Sequence, residues 1–507
     1  MGCGSKKRIG IAIGVAFTVL VLLLSGMASA ERIDIPADYA TIQSGLDHAH
    51  PGDTIYVHAG TYHERPLKIF TPNITLIGAD AIIDGGGDDE CLRINARGVK
   101  ISGFVVQNGE RGIWLEGSTA CAITNNTVFN NRGKGSPNTV IHEGHGIGLT
   151  SSSNCIIANN TVLSNSAYGI ALFQACNNVI KGNRCDRNRD YQIILGTDSC
   201  NNTITENSLS GSVYGHGIYI ITRSNNNVVT KNVIFNNSNA GINILHSAHY
   251  NLISDNILKS NIMGLWIGSI LSASNGNIIA NNTVTSNQRR GIEVSGDENV
   301  IINNTVAGNE EGGIYIRDGA GNRIYHNHLN NRKNAYDGES NIWDNGYPAG
   351  GNYWSDYPGS DIYMGVGQDE PGNDSIGDTP YIIDENSRDN YPFIWIYIPP
   401  ISISNVTVSP ATATICTQIK VCADVSAISG VKDGGVIAKF TRDGSMVEQI
   451  RLHDHNKDGR YCHYRYFTEP GIYHVDVIAA DRDGRVMALE DVATFVILQR
   501  TLSSLAV

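Results

Sequence analysis

The sequence has little charge, and what it has is mostly acidic. Only 17% of the 507 residues are charged, with 49 acidic against 37 basic residues and a formal net charge of −12. Nucleic-acid binding needs clustered Lys and Arg, so this balance argues against a nucleic-acid partner. After the N-terminal segment the chain also lacks a second apolar run of membrane length, so we expect no membrane span in the mature protein.

The first 30 residues are typical of a secretory signal peptide. A basic Lys6-Lys7-Arg8 stretch precedes an apolar run, and Ala28-Ser29-Ala30 is a small-residue cleavage site. An uncleaved N-terminal anchor is the alternative. We therefore expect a secreted or cell-surface protein, with the mature chain beginning at residue 31.

Asparagine recurs in columns along the middle of the chain. Nine residues form the first column, and a second column, interrupted at Ser212 and Arg332, follows five residues later. Further along each repeat comes a Gly-apolar-x-apolar unit, such as GIYI at Gly217 and GIEV at Gly291. The first column consists of Asn126, Asn160, Asn183, Asn207, Asn232, Asn256, Asn282, Asn304 and Asn327.

A repeat of this period, built from short alternating strands with Asn and Gly turns, indicates a β-solenoid. The fold class predicted is all-β: a right-handed parallel β-helix of about twelve coils, followed by a small Ig-like β-sandwich. We expect the column asparagines to adopt the left-handed conformation at sharp bends and to hydrogen-bond to their equivalents one coil away.

Nine N-x-[ST] sequons occur, and six of them lie inside the repeat. We expect most to be by-products of the asparagine columns, while some remain open to glycosylation. The sequons begin at Asn73, Asn125, Asn159, Asn201, Asn236, Asn281, Asn303, Asn373 and Asn405.

Changes in composition divide the chain into four parts. Residues 1–30 are the signal peptide, and residues 31–331 are the β-helix, opened by a helical cap predicted over Tyr39 to Ala49. Residues 332–398 form a C-terminal cap segment. Residues 399–507, after Pro399-Pro400, show alternating strands at the spacing of an Ig-like domain.

Cysteine use fits an exported protein, with nine Cys after residue 30. Cys121 and Cys155 fall at equivalent repeat positions, where stacked thiols pack as small hydrophobes more often than they bond. Cys416, Cys422 and Cys462 lie in the last segment, where one disulfide pair is expected.

The opening IPADYATIQSGLDHAHPGDTIYVHAGTYHE, the columns and the string WDNGYPAGGNYWSDYPGSD resemble the NosD-like right-handed β-helix proteins, which are abundant at the surface of methanogenic archaea. The resemblance covers roughly Ile33 to Pro392. It implies the fold and export. It also implies three possible functions: an envelope or polysaccharide-interacting protein, an enzyme of acidic polysaccharides, or a copper-processing protein.

One stripe of residues precedes the Gly-apolar unit in successive coils and combines acid, base, phenol and cation. Lys134, His142 and Glu143 join it from an insertion of about eleven residues. Such a set suits lyase, epimerase or hydrolase chemistry on an acidic sugar, as general acid-base groups beside a cation. A solvated stripe is the alternative. The stripe consists of Arg111, His145, Tyr168, Tyr191 and His216.

Aromatic residues also occupy the third place of several Gly-apolar units. Exposed rings on a rigid sheet can bind sugars, so these are candidate substrate-binding residues, although ordinary β-propensity explains them equally. They are Trp114, Tyr219, Trp266 and Tyr315. The expected partner is therefore a polysaccharide or another glycan of the cell envelope.

No cofactor is assigned with certainty. Asp454, Asn456 and Asp458 open a D-x-N-x-D-G loop that suits calcium, but the twelfth position is Arg465, and a hairpin turn is the alternative. Copper is less favoured. His142 and His145 are candidate ligands, but only four Met follow residue 30 and no Cys-x-x-Cys occurs.

Overall fold

The computed structural model describes residues 30–87, 89–133, 144–269, 272–394, 401–415, 417–427, 430–442, 445–482 and 486–498. The chain divides into two compact units, Met1–Tyr397 and Ile398–Val507. Within the described residues, no helix is long and apolar enough to cross a membrane.

The first unit is a parallel β-helix of about thirteen turns, in which each coil contributes one strand to each of three sheets. All three sheets pair neighbouring coils in parallel. The prediction of a parallel β-solenoid is confirmed.

Sheet 1 contains thirteen strands. They are Arg32–Ile35, Thr54–Val57, Thr75–Gly78, Lys100–Ser102, Ala122–Thr124, Ile156–Ala158, Val179–Lys181, Thr203–Thr205, Val228–Thr230, Leu252–Ser254, Ile278–Ala280, Val300–Ile302 and Arg323–Tyr325.

Sheet 2 also contains thirteen strands. They are Gly60–Tyr62, Ala81–Asp84, Val105–Gln107, Thr127–Phe129, Thr161–Leu163, Arg184–Asp186, Ser208–Ser210, Val233–Phe235, Ile257–Lys259, Thr283–Thr285, Thr305–Ala307, His328–Asn330 and Tyr353–Trp354.

Sheet 3 contains twelve strands and carries most of the candidate site. They are Leu67–Ile69, Leu92–Ile94, Ile113–Glu116, Ile147–Thr150, Ile170–Phe173, Ile193–Gly196, Ile218–Ile220, Ala240–Ile244, Met263–Ile267, Arg290–Ser295, Gly312–Asp318 and Ala335–Asp337.

The core of the β-helix is a stack of mostly aliphatic side chains, such as Ile180, Ile204 and Val229 of sheet 1. In the central coils each strand of sheets 1 and 2 contributes one and each strand of sheet 3 contributes two. Each strand buries alternate residues because successive side chains point to opposite faces of a sheet. No single coil could bury this face, so neighbouring coils stabilise one another.

Three ladders of buried asparagines run along the corners between the sheets. In each ladder the backbone N–H and Nδ2 of one Asn donate to Oδ1 of its equivalent in the next coil. For example, Asn183 donates to Asn207 at 2.8 and 3.1 Å. The predicted hydrogen bonding between coils is thereby confirmed. Because the bonds all point the same way, each ladder ends with donors that need an acceptor.

The predicted left-handed conformation belongs to the neighbouring residue instead. The φ angle is positive at Asn125 and Asn159, whereas the ladder residues Asn126 and Asn160 are not among the residues with positive φ. The expectation for the column asparagines was therefore wrong by one position. The exposed residue makes the bend, and the ladder residue turns inward.

A short helix, Ile42–His48, packs at the start of the β-helix, inside the predicted span. The Thr41 hydroxyl accepts from the Ser44 N–H, and the Glu64 carboxylate accepts from the N–H groups of Ile42 and Gln43. These bonds satisfy the free donors of the first turn. Ile42 and Leu46 face the core.

The parallel pairing runs beyond Arg332, where the sequence repeat fades. Ala335–Asp337 joins sheet 3 and Tyr353–Trp354 joins sheet 2. Two small hairpins follow, pairing Tyr363–Met364 with Glu370–Pro371 and Tyr381–Ile382 with Arg388–Asp389.

The second unit consists of two antiparallel-rich sheets around their own core, as a β-sandwich requires. A disulfide joins Cys422 to Cys462 in the smaller sheet, so the expected pair is confirmed. The smaller sheet is Ile401–Ser409, Gln418–Ala427 and Arg460–Tyr466; the larger is Thr412–Thr414, Val486–Leu498, Gly471–Asp481, Val431–Arg442 and Ser445–Arg451.

Candidate functional site

The predicted stripe forms a continuous stack of rings along sheet 3. Its residues directly precede consecutive strands, and in-register parallel pairing places them one above another. The ring centroids are 4.7 Å apart between His145 and Tyr168, 5.3 Å between Tyr168 and Tyr191, and 5.5 Å between Tyr191 and His216. The rings lie within 17° of parallel, which permits face-to-face contact with an offset.

Trp114 belongs to the same stack rather than to an exposed row. Its ring centroid is 5.6 Å from that of His145, and the Arg111 guanidinium lies 4.5 Å from the Trp114 ring centroid. Trp114 lies on the outer face, opposite the core residues Ile113 and Leu115, but it is only 8% exposed, so the expectation of an accessible ring was wrong. The next coil leaves room for the indole because it has Gly148 there. A Cβ at that position would lie 2.0 Å from the Trp114 ring.

Tyr219 closes the far end of the stack. Its ring centroid lies 4.7 Å from that of Tyr191 and 4.9 Å from that of His216, and its side chain is half-buried. We name the set Arg111, Trp114, His145, Tyr168, Tyr191, His216 and Tyr219 the ring stack. It spans five coils, with one ring in each of the first four and two, His216 and Tyr219, in the fifth.

His216 is fixed in one tautomer by its neighbours. Its Nδ1 accepts a hydrogen bond from the Ala240 N–H at 3.1 Å, so the ring proton of the neutral form lies on Nε2. Nε2 is 3.0 Å from the side-chain amide of Asn243. A donor at Nε2 requires that the Asn243 oxygen face it, an orientation that also satisfies the otherwise unpaired Asn243 Oδ1.

Burial keeps the ionisable rings neutral. Desolvation lowers the pKa of His216 to about 4 and raises the pKa of Tyr219 to about 12. The pKa values of Tyr168 and Tyr191 are also raised, mainly by burial and further by the charge of nearby Asp190. At neutral pH these groups are therefore uncharged hydrogen-bonding groups, far from the pKa that proton transfer favours.

The predicted cation of the stripe is already paired. The Arg111 Nη1 lies 2.7 Å from a Glu90 carboxylate oxygen, and Glu90 is largely buried. A carboxylate at this distance offsets the guanidinium charge. Arg111 therefore offers a substrate carboxylate less charge than an isolated cation would.

A second aromatic cluster lies farther along sheet 3 and includes residues that the sequence analysis missed. The Arg290 guanidinium lies 3.6 Å from the Tyr315 ring centroid, and Tyr315 stacks on Tyr336 at 4.2 Å. Lys333 lies over Tyr336, and these four residues line a shallow pocket. Arg290 stands at the stripe position of its coil, directly before Gly291, so the spacing of the sequence repeat identifies it.

Trp266 lies between the ring stack and this second cluster. It is half-buried, and its neighbours in the adjacent coils are Asn243 and Glu293. Glu293 is buried and contacts Arg290 at 2.5 Å. Of the predicted aromatic residues, Tyr219, Trp266 and Tyr315 are thus partly accessible, and Trp114 is not.

Several predicted residues lie outside the described part of the chain. These are Lys134, His142 and Glu143 of the insertion, together with the predicted signal peptide up to residue 29. Their proposed roles stay predictions. The described residues on either side of this gap are Gly133 and Gly144, and His145 of the ring stack follows Gly144.

Family models match the middle of the β-helix. Residues 201–359 match the model described as periplasmic copper-binding protein (NosD), and residues 91–258 match the model of the right handed beta helix region. The β-helix of this chain is a NosD-like right-handed β-helix. The resemblance noted in the sequence is confirmed at the level of fold and family.

A curated relative extends the NosD-like match. A cell surface glycoprotein of Methanothermus fervidus is 31% identical over 362 residues, which cover 67% of this chain. The match spans only 56% of the glycoprotein's own length, little more than half of that relative.

Solved structures similar to the NosD-like β-helix include two polysaccharide-modifying enzymes. One is an alginate lyase from Paenibacillus, at 16% identity, with 62% of this chain and 99% of that chain covered and a TM-score of 0.40. The other is the A-module of a mannuronan C-5 epimerase from Azotobacter vinelandii, at 15% identity, with 60% and 85% covered and a TM-score of 0.42. Such values carry no argument about substrate.

Hydrogen bonds within the predicted calcium loop stabilise its conformation. The Asp454 carboxylate accepts from the N–H groups of Asp458 at 3.2 Å and Gly459 at 2.9 Å, as in a tight turn. Among the described residues, no three His, Cys, Asp or Glu side chains are grouped so as to hold a metal ion. Calcium at Asp454, Asn456 and Asp458 stays a prediction.

Proposed function

We propose that this protein is a cell-surface β-helix protein that binds polysaccharide along the outer face of sheet 3. The observation that carries the proposal is the ring stack, whose partly exposed members, Tyr168, Tyr191 and Tyr219, lie in three consecutive coils. Coils in a parallel β-helix are about 4.8 Å apart. An extended polymer lying along the axis can therefore meet these three phenols in turn, whereas a monosaccharide is too short to span them.

The chemistry of the ring stack supports binding more than catalysis. General acids and bases work best with a pKa near the operating pH. Tyr191 and Tyr219 have raised pKa values and His216 has a lowered one. The phenols remain protonated, so they can donate hydrogen bonds to sugar hydroxyls. The ring faces contact one another, so a sugar would meet the ring edges and hydroxyl groups.

The location at the cell surface is supported by two independent observations. The N-terminal segment is predicted to be a secretory signal, and the curated relative is a cell surface glycoprotein. A rigid rod with a binding face suits attachment to an envelope glycan, because a stacked solenoid offers an extended surface.

The proposal is tested by a binding screen of the mature chain, residues 31–507, against neutral and acidic polysaccharides. The same samples are assayed for product release, first with calcium and then with chelator. We expect saturable binding to at least one polymer without product release. Release of unsaturated, epimerised or shortened products would instead support an enzyme at the predicted stripe. No binding to any polymer would contradict the proposal.

Copper handling is a second candidate because residues 201–359 match a family described as copper-binding. The residues to test are His142 and His145. The packing and hydrogen bonds of the described residues account for the fold without a metal, so copper would bind to a chain that is already folded. Titration of the chain with Cu(I) and Cu(II) should give stoichiometric binding that His142→Ala and His145→Ala abolish. Binding no stronger than to a His-poor control protein would remove this candidate.

A further inference from the structure

Four coils share an Asn-Asn-Thr corner between sheets 1 and 2. The first Asn is exposed and left-handed, with φ between 56° and 57° at all four positions. The second Asn is a buried ladder residue, and the Thr begins the strand of sheet 2. The four exposed residues, named here the corner asparagines, are Asn125, Asn159, Asn281 and Asn303.

The two asparagines of each pair differ in what their side chains can do. The Nδ2 of Asn126 is buried and donates to Asn160 Oδ1 at 3.1 Å and to the Ile101 carbonyl at 3.2 Å. The Asn125 side chain is exposed and makes no hydrogen bond within the described part of the chain. Only the first amide nitrogen of each pair is accessible to a reactant.

The Thr of these corners is not explained by the fold. At the same corner of other coils, the left-handed residue is Gly182, Glu206, Lys231, Asp255 or His326. The residue two places later in those coils is Arg184, Ser208, Val233, Ile257 or His328. The backbone thus accepts many residues at both positions. At all four corners with an exposed Asn, however, the second position is Thr.

The corner between sheets 3 and 1 provides a contrast. Five asparagines are exposed there with positive φ. Ile156, Val179 and Val228 stand two residues after Asn154, Asn177 and Asn226, whereas Thr75 and Thr203 follow Asn73 and Asn201. Thr thus accompanies two of five left-handed asparagines at this corner, against four of four at the corner between sheets 1 and 2. The bend itself does not require Thr, so it does not explain why Asn and Thr occur together at every such position between sheets 1 and 2.

We propose that the corner asparagines are sites of N-linked glycosylation and carry a row of glycans along one edge of the β-helix. The inference rests on the proposed surface location, because modification of a sequon requires export. The glycan donor is an activated sugar phosphate. A bond forms between Asn Nδ2 and the anomeric carbon while the anomeric carbon–oxygen bond to phosphate breaks. The phosphate leaves with the electron pair, and the amide nitrogen releases a proton.

This row of glycans would make one edge of the β-helix chemically different from the face formed by sheet 3. In a three-sheet coil, the corner between sheets 1 and 2 lies opposite sheet 3. Glycans on the corner asparagines would cover that edge and leave the ring stack uncovered. The modified edge would be hydrophilic and the opposite face free to bind polysaccharide.

The test is glycopeptide mass spectrometry on the full-length protein purified from its own cells. Surface exposure is measured in parallel by protease treatment of intact cells. We expect sugar masses on the corner asparagines, with none on the ladder residue Asn126 or on Asn154, Asn177 and Asn226. A variant with Thr127, Thr161, Thr283 and Thr305 replaced by Val should lose those masses. Val is native at the equivalent Val233, so folding should be retained.

Thr285→Val is the matched control, since Thr285 lies on the same strand as Thr283 outside any sequon. It should leave the sugar masses unchanged. Unmodified corner asparagines in a protein exposed at the surface would overturn this inference and leave the proposed function standing. Unmodified asparagines in a protein retained inside the cell would overturn both.

Discussion

Asp389 accepts a hydrogen bond from the backbone N–H of Asn352 at 2.6 Å and so takes the place of the next asparagine in the ladder. Asn352 is the last ladder residue at the corner between sheets 1 and 2, receiving the bonds of Asn327. A carboxylate has only acceptors, so it matches the donor end of a ladder. Asp389 Oδ2 also accepts from the indole Nε1 of Trp354 at 2.8 Å.

The other two ladders also end on aspartates. Asn341 donates to both oxygens of Asp337, at 2.7 and 3.0 Å, and Asp337 accepts from the indole of Trp343. At the third corner, Asn334 donates to Asp356 at 2.7 Å. This requirement for acceptors explains why the segment after the last regular repeat is rich in Asp and Trp.

Removing the acceptor at Asp389 should destabilise the β-helix. Asp389→Ala leaves two buried N–H donors and one partly buried N–H donor without a partner, and each unsatisfied group costs roughly 1–3 kcal/mol. We expect a loss of at least about 3 kcal/mol in the free energy of unfolding at pH 5. Asp389→Asn keeps one carbonyl acceptor and should lose less. The exposed Asp369→Asn serves as control in the same denaturant titration, and equal stability of all three variants would refute the role of Asp389.

Stability should also depend on pH through Asp389. Burial raises the pKa of this carboxyl to about 7, against the hydrogen bonds from Asn352, Trp354 and Tyr391 that lower it. Because the folded pKa lies above the unfolded one, the contribution is full below about pH 4 and is lost as pH rises through 7.

The difference in unfolding free energy between the native chain and Asp389→Asn isolates this effect from that of other carboxyls. It should fall by up to roughly 4 kcal/mol between pH 4 and pH 8. Denaturant titrations of both proteins at several pH values give the difference. A difference independent of pH would show that Asp389 does not titrate in this range.

Gln192 and Ser212 should be energetically coupled. Ser212 interrupts the ladder, and the Asn188 Nδ2 donates instead to Gln192 Oε1 at 2.7 Å. Gln192→Gly should cost about 1–3 kcal/mol because the buried amide loses this acceptor. Adding Ser212→Asn should recover at least about 1 kcal/mol by restoring a ladder acceptor. Strictly additive effects in the double-mutant cycle would refute the coupling.

The disulfide should stabilise only the second unit. Cys422 and Cys462 are 40 residues apart, and closing a loop of this length stabilises a fold by roughly 4 kcal/mol. Cys422→Ala/Cys462→Ala should therefore lower the unfolding midpoint of the second unit and leave that of the β-helix unchanged. Calorimetry with and without reductant measures both transitions, and the variant should not respond to reductant. A shift of the β-helix transition would contradict this expectation.

The repeat in the sequence was sufficient to predict a parallel β-helix and two of the three ladders. The third ladder, which includes Asn178, Asn202 and Asn227, precedes the first column by five residues and was missed. Its members lie in Asn-Asn or similar pairs, and a pair does not reveal which side chain turns inward. The same ambiguity misplaced the left-handed residue by one position.

The sequence predicted which residues of the candidate site stack on one another, but not which of them are buried. Equivalent positions had to stack, which correctly brought His145, Tyr168 and Tyr191 together. The burial of Trp114 depends on the empty space at Gly148 and on the His145 ring from the adjacent coil. Such contacts between coils follow from side-chain directions, which the spacing of residues does not specify.

The most direct test of the account is polysaccharide binding by a hydroxyl-free ring stack. Tyr191→Phe/Tyr219→Phe keeps the rings and the stacking but removes two hydroxyl donors, and Tyr250→Phe, at an exposed Tyr outside the stack, is the control. Calorimetric titration with the polymer selected by the screen should show an affinity at least tenfold weaker for the double variant, a loss of about 1.4 kcal/mol in binding free energy. The control should bind with unchanged affinity. Unchanged affinity in a correctly folded double variant would show that the polysaccharide does not bind at the ring stack.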